Sequence, residues 1–379
     1  VSALRLPLLE PHRRALESCV YCPKLSRAAC PVANVEANET VTPWGKMSMA
    51  FFVGRGDVPA DEAHAAPAWA CSACYGCRER CEHKNEVAHV LCETRAEMFA
   101  RGIAPAAARE AAERFGALEA ELEAAVAELP RVDGRARRAL LIGCSYLRHL
   151  PDVAWAAVRV VEALLGPDTL VLGGCCGLPL WYAGDRRGFV TAARGTEARI
   201  AEAQSRGARE LWVLDPGCAH ALLFEHSAVG VRTGLPIRLV VDLLAARIDR
   251  VPALAFEGSL FRWHDPCQLG RGLGRYDEPR RVLARLAGAA PAELVRSRAH
   301  AECSGGGGLL PLTRPGTSRA MAEERISEHR AAGGGVLVTH CAQSLRRLRS
   351  AGEPAVDLVA LVAQALGTKP CSTTPGAAG

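Results

Sequence analysis

The chain has 379 residues, 49% of them hydrophobic, with 46 Lys and Arg against 41 Asp and Glu and a formal net charge of +5. That is a globular composition, long enough for two or three domains, and not that of a disordered chain. The charges are interspersed rather than gathered into a basic stripe, and aromatics are only 5%, which excludes a nucleic-acid partner; no apolar run reaches the roughly 18 to 20 residues of a transmembrane segment.

The opening stretch, VSALRLPLLEPHRRALESC, breaks its apolar residues with two prolines and several charges and does not read as a secretory signal. A cytoplasmic location is expected. In a reducing cytosol, 16 cysteines are not a disulfide framework; they are metal ligands or redox centres.

The first cysteines are Cys19, Cys22 and Cys30, in CVYCPKLSRAACPV. The stretch ACSACYGCRERC then sets Cys71, Cys74, Cys77 and Cys81 in C-x2-C-x2-C-x3-C spacing. Three thiolates so spaced wrap one cubane, and the fourth ligates the other cluster in two-cluster ferredoxins. Structural zinc instead uses two C-x2-C pairs about a dozen or more residues apart. The spacing predicts an α-helical, two-cluster ferredoxin-like 4Fe-4S module over 15–102, holding one or two clusters. Cys71, Cys74 and Cys77 would pair with Cys30, and Cys19 and Cys22 with Cys81. The second set lacks a fourth thiolate. Ser26 stands in the gap, either as a hard oxygen ligand or as an ordinary loop serine; a three-iron cluster and no cluster are the other outcomes. Glu82 stands where proline often follows the last cysteine. The segment after it reads as a helix running to Gly102, with Cys92 a buried, inert thiol.

Residues 103–137 read as a linker. Leu118, Leu122, Val126 and Leu129 recur at helical spacing in a stretch dense in Ala, Glu and Leu, which predicts one surface helix over 106–129, ended by Pro130 and Gly134.

From 138 the pattern becomes βαβαβ. ALLIGCS, DTLVLGGCCG and ELWVLDPGCAH are strands ending on Cys144, on Cys175 and Cys176, and on Cys218. Alternation of this kind predicts a parallel sheet with helices on its faces and ligands at the carboxyl ends of the strands. The same order returns around Cys267, Cys303 and Cys341, again as if closing strands. The expected layout is α/β: a first cysteine-rich domain at 138–225, a connector at 226–257 with a helix near 238–248, a second, degenerate cysteine-rich domain at 258–350, and a C-terminal helix with a disordered tail at 351–379 that exposes Cys371. Gly305 to Gly308 would let the backbone pass close to a bulky ligand. His220, His264, Asp265 and His340 flank domain cysteines as ligands, proton donors or structural groups. No Gly-x-Gly-x-x-Gly turn joins a strand to a helix, so a flavin or nicotinamide would sit on a partner.

GGCCGLP, HDPCQLGRG and CSGGGG, together with the ferredoxin motif, resemble the cysteine-rich "CCG" domain pair. That pair is found in heterodisulfide reductase subunits and in the iron–sulfur subunits of glycolate oxidase, lactate-utilisation and anaerobic glycerol-3-phosphate dehydrogenase systems. The resemblance covers about 15–350 and implies cluster binding at Cys144, Cys175, Cys176 and Cys218, with Cys267, Cys303 and Cys341 as cofactor-binding positions. The family motif has five cysteines per domain. Here Ala221, Ser304 and Ser344 replace three of them, which argues against a full heterodisulfide-cleaving site. The resemblance implies an iron–sulfur electron-transfer subunit fed by a flavoprotein that oxidises a 2-hydroxy acid such as glycolate or lactate. Its acceptor would be a quinone or another carrier, some of it membrane-associated, which would put the chain on the inner face of the membrane. The alternatives are a thiol–disulfide reductase subunit and a non-enzymatic redox sensor.

Overall fold

In the computed structural model, residues 3–24, 26–130, 134–254 and 260–368 are described. The tail from 369, with Cys371, lies outside them.

The described residues up to 130 form helices and turns, without a strand. Helix Pro43–Arg55 shows why. Thr42 caps it by accepting from the Gly45 N–H, Pro43 fits the first turn, and Gly56, at φ 80°, ends it. Its Met47, Phe51 and Val53 pack with Leu9, Leu16, Trp69 and Leu91 from neighbouring helices in one core. Helix Val87–Ala100 follows the cysteine loop and buries Cys92 at its centre, where burial pushes the thiol far above its ordinary range.

Two helices, Ala106–Glu113 and Phe115–Ala127, stand where one was expected, because the chain turns at Arg114. The second is more than a surface helix. Leu122 is fully buried in the core of the next domain, with Leu118 and Val126 packed against it.

The first cysteine-rich domain is a parallel sheet of β1 (Arg138–Leu141), β2 (Thr169–Leu172), β3 (Leu211–Val213) and β4 (Ile237–Leu239), in the order β2-β1-β3-β4. The second repeats it with β5 (Phe261–Trp263), β6 (Val336–Thr339) and β7 (Val356–Asp357), in the order β5-β6-β7. An isolated parallel bridge between Arg262 and Ala292 marks the place that β2 occupies in the first sheet. β1 thus lies inside its sheet, β5 lies at the edge of its own with that bridge on its outer side, and each sheet ends on a strand, β4 or β7, that runs into a helix. β4 comes from the stretch read as a connector, and β7 from the C-terminal segment.

Cys144, Cys175, Cys176, Cys218, Cys267 and Cys341 all follow strand ends, as expected of ligand positions in such sheets. Cys303 does not. The residues around it form bends and turns, because Gly305 and Gly308, at φ 81° and 63°, cannot continue a strand. One hydrophobic core runs through both sheets, from Leu140, Val158 and Val161 to Trp263, Val338 and Leu358.

Candidate iron–sulfur centre at a three-module junction

The loop 71–77 turns its cysteines inward through unusual backbone. Ala73 and Tyr75 take left-handed conformations, at φ 53° and 59°, which costs a non-glycine residue about 1–2 kcal/mol each. The turns aim amides at sulfur: the Ala73 N–H donates to Cys71 Sγ at 3.4 Å, and the Gly76 amide donates to Cys74. Cys30, Cys71, Cys74 and Cys77 line one small cavity. Lys46 lines it too. The residue is 2% exposed, and its ammonium donates to Cys30 Sγ at 3.3 Å. Burial alone would lower the Lys46 pKa, but Cys30, Cys71 and Cys77 outweigh it and raise it. A buried ammonium is tolerated only beside compensating negative charge. Four convergent sulfurs with such a cation fit a 4Fe-4S cluster, and Cys30, Cys71, Cys74 and Cys77 are the residues that would hold it.

Cys19, Cys22 and Cys81 come together in a second group. Burial pushes the Cys19 thiol up, partly offset by Asn85, whose Nδ2 donates to Cys19 Sγ at 3.2 Å. Ser26 takes a left-handed backbone conformation (φ 49°) at the head of the turn that leads to Cys30. Glu82 pairs with Lys24, which also faces Cys22 and Cys81. Cys77 and Cys81 are four residues apart, so the two groups are anchored within about 14 Å of each other along the chain.

In the first cysteine-rich domain the four thiols gather, with Cys175 beside Cys144 and Cys176, and Cys176 beside Cys218. The neighbouring Cys175 and Cys218 push the Cys176 thiol down. Gly143, at φ 103°, is required here: a Cβ would stand 2.8 Å from Asp215 Cβ and 3.2 Å from Cys218 Sγ. The Asp215 carboxyl is pushed up to about 6, by burial first. The Cys175 N–H donates to Glu119 at 2.6 Å, so the helix read as a plain surface helix reaches this site. Ala221 is buried at the head of a π-helical turn.

The second domain is arranged differently. The Cys303 thiol lies beside Cys267, which pushes it up to about 12, and beside Cys74 of the ferredoxin loop. Ser304 and Ser344, which replace two motif cysteines, bond to each other at 3.0 Å. Ser344 also bonds Cys341, whose thiol burial pushes up to about 12 and which faces Asp215 of the first domain. The glycine run does not cradle a ligand: Gly307 and Gly308 pass against the backbone of Ser72 and Cys71, where a Cβ on Gly307 would lie 2.5 Å from the Ser72 carbonyl.

The flanking polar residues settle into structural roles. Asp265 is clamped by both terminal nitrogens of Arg280 at 2.8 Å and by Trp263 and the Arg298 N–H. His264 accepts from Arg325 and is driven down to about 3, chiefly by burial. His340 bonds Asp357 at 3.1 Å, and His220 stacks on Tyr75.

The 4Fe-4S dicluster domain family matches residues 15–85, and the cysteine-rich (CCG) domain family matches 139–223 and 261–346. The chain belongs to the CCG-domain iron–sulfur proteins. It is similar to one of the subunits of the dihydromethanophenazine:CoB–CoM heterodisulfide reductase of Methanosarcina barkeri, 27% identical over 253 residues, covering 62% of this chain and 61% of that protein. It is also similar to one of the subunits of the fumarate reductase (CoM/CoB) of Methanothermobacter marburgensis, 24% identical over 343 residues, covering 86% of this chain and 66% of that protein. A "Probable membrane-anchored ferredoxin" of Chromohalobacter salexigens is 30% identical over 171 residues, 42% of this chain and 25% of that protein. The chain thus spans 61% of the length of the first of these relatives. No helix of the described residues is long and apolar enough to cross a membrane.

This CCG-domain protein is an iron–sulfur protein of the 4Fe-4S class, and its modules meet at the loop 71–77. Arg95, fully buried, donates to the carbonyls of Ala68 and Cys71, of Tyr182 in the first cysteine-rich domain and of Gly308 in the second. Arg271 donates to Cys74 O and Ala301 O, each at 2.6 Å, and its charge faces Cys74, Cys267 and Cys303. Sequence reading missed Lys46, Asn85, Arg95, Glu119 and Arg271. Only Lys46 left a trace, as one of four lysines in a chain that otherwise uses arginine.

Proposed function

We propose that the chain is an iron–sulfur electron-transfer subunit of a multi-subunit oxidoreductase, receiving and passing single electrons through the clusters of its N-terminal module. The observation that carries this reading is the buried Lys46 beside Cys30, Cys71 and Cys77 at a junction clamped by Arg95 and Arg271. A bound cluster supplies reversible one-electron storage; Cys30, Cys71, Cys74 and Cys77 hold it, Lys46 offsets its charge, and Arg95 fixes the loop. Cys19, Cys22 and Cys81 would hold the outer cluster. The names of the relatives support the reductase direction, with the catalytic partner on another subunit. A flavoprotein oxidising a 2-hydroxy acid, with a quinone as acceptor, is the other partner set the same wire would serve, and both keep the chain cytoplasmic or on the inner membrane face. The test is a mediated redox titration followed by EPR. The reading expects a reducible low-potential signal that Cys71→Ser removes and Cys144→Ser leaves intact. A chain with no reducible signal would reject it.

A second reading, disulfide reduction at the first cysteine-rich domain, is favoured by one observation: Cys144, Cys175, Cys176 and Cys218 gather where the strands end, with Cys175 and Cys218 flanking Cys176 and lowering its pKa. It expects Cys176→Ser to abolish turnover of a disulfide while the ferredoxin-module signals persist. Equal turnover in the variant would remove it.

A further inference from the structure

The second cysteine-rich domain has lost two motif cysteines, yet its remaining pair is not idle. Cys267 and Cys303 lie close enough to perturb each other, and Cys303 reaches across the module boundary to Cys74, with which it shares a buried cluster. Cys30, Cys74 and Cys303 share one buried apolar cluster, with Cys267 packed against it. The pair is asymmetric: Cys303 is 4% exposed, whereas Cys267 is half-buried. Arg271 places a buried positive charge toward all three sulfurs and ties the two backbones together through Cys74 O and Ala301 O. The Gly305 N–H donates to Cys303 Sγ at 3.4 Å. Ser304 and Ser344 are occupied by each other and Cys341 by Ser344, so Cys267 and Cys303 are the thiols of this domain turned toward the ferredoxin loop.

We propose that Cys267 and Cys303 form a redox-active dithiol–disulfide couple that exchanges electrons with the proximal cluster through Cys74, giving a wire of one-electron carriers a two-electron store. In the oxidised state one S–S bond joins the two residues. Two electrons arrive singly through the Cys74 contact from a one-electron donor that reduces the N-terminal module. The S–S bond breaks, two protons enter from solvent on the Cys267 side, and two thiols result. Arg271 steadies the negative charge that precedes protonation. Two thiols in contact beside a cluster ligand need only small motion to make this exchange. The inference rests on the reading that Cys30, Cys71, Cys74 and Cys77 hold a cluster.

The test uses the whole chain purified without oxygen, its iron and sulfide measured first. It is treated with oxidised dithiothreitol, quenched by alkylation and mapped by peptide mass. A Cys267–Cys303 cross-link is expected, lighter by two hydrogens than the reduced pair. Reduced methyl viologen should open that link in the loaded chain and leave it closed in chain stripped of iron. Cys267→Ser and Cys303→Ser should each lose the link and keep the iron content of the unsubstituted chain. The proposal is overturned by thiols that stay free and alkylatable at full iron content, or by equal reopening with and without clusters. It is also overturned if either variant loses about four irons, since the pair would then be holding a cluster. Should a variant misfold, the cross-link and viologen result on the unsubstituted chain decides alone. Iron absent from that chain would overturn the cluster reading itself, and this inference with it.

Discussion

Lys46→Met tests the charge balance of the proximal site. Methionine fills a similar space without the charge. The ammonium sits 3.3 Å from Cys30 Sγ, fully inside the protein. Two unit charges at that distance interact by about 5 kcal/mol at an effective dielectric constant of about 20. A reducing electron shared equally among four ligand sulfurs places about a quarter of a charge on Cys30, so losing Lys46 costs the reduced state about 1.3 kcal/mol, or roughly 55 mV for one electron. The contributions from Cys71 and Cys77, which also face Lys46, act in the same direction. The proximal potential should therefore fall by at least about 50 mV, read by EPR-monitored titration, while the outer cluster barely moves. An unchanged or raised potential would refute the reasoning.

Ser26→Cys should complete a four-thiolate set with Cys19, Cys22 and Cys81, raising iron retention in air and the potential of the outer cluster; an identical EPR spectrum and iron content would place Ser26 away from iron. Arg95→Met strips four carbonyls of their buried donor and should cost about 3–5 kcal/mol in urea unfolding; a loss below about 1 kcal/mol would mean the modules are held together elsewhere. Asp265→Asn should cost about 3 kcal/mol at pH 7. Burial alone would raise the Asp265 pKa, but its hydrogen bonds with Arg280 win and hold it below the ordinary value. That stability is present above the unfolded pKa of about 4 and is lost as pH falls through the folded value, so the gap between the variant and the unsubstituted chain should narrow below about pH 4. A gap independent of pH from 7 to 3 would contradict this.

Local chemistry was legible and long-range partnership was not. The C-x2-C-x2-C-x3-C run states its ligand geometry within eleven residues, and the βαβαβ alternation states a parallel sheet. The turn at Arg114 carries no glycine or proline to announce it. Cys303 was read as closing a strand from its likeness to Cys175 and Cys176, but the glycines after it are shaped to lie against Ser72 and Cys71, a contact more than 200 residues distant in sequence. Lys46 and Arg95 look like ordinary helix residues, and their roles follow only from which face of their helices turns inward. The contact between Cys303 and Cys74 depends on the packing of two modules, which no spacing within either module encodes.

The proposed electron-transfer role requires the N-terminal module to hold two clusters. The most direct measurement is iron and acid-labile sulfide per chain after anaerobic purification, with EPR of the reduced protein and of Cys71→Ser beside it. About eight or more irons are expected, with signals from interacting clusters and loss of the proximal signal in the variant. About four irons or fewer, or a spectrum indifferent to Cys71, would contradict it.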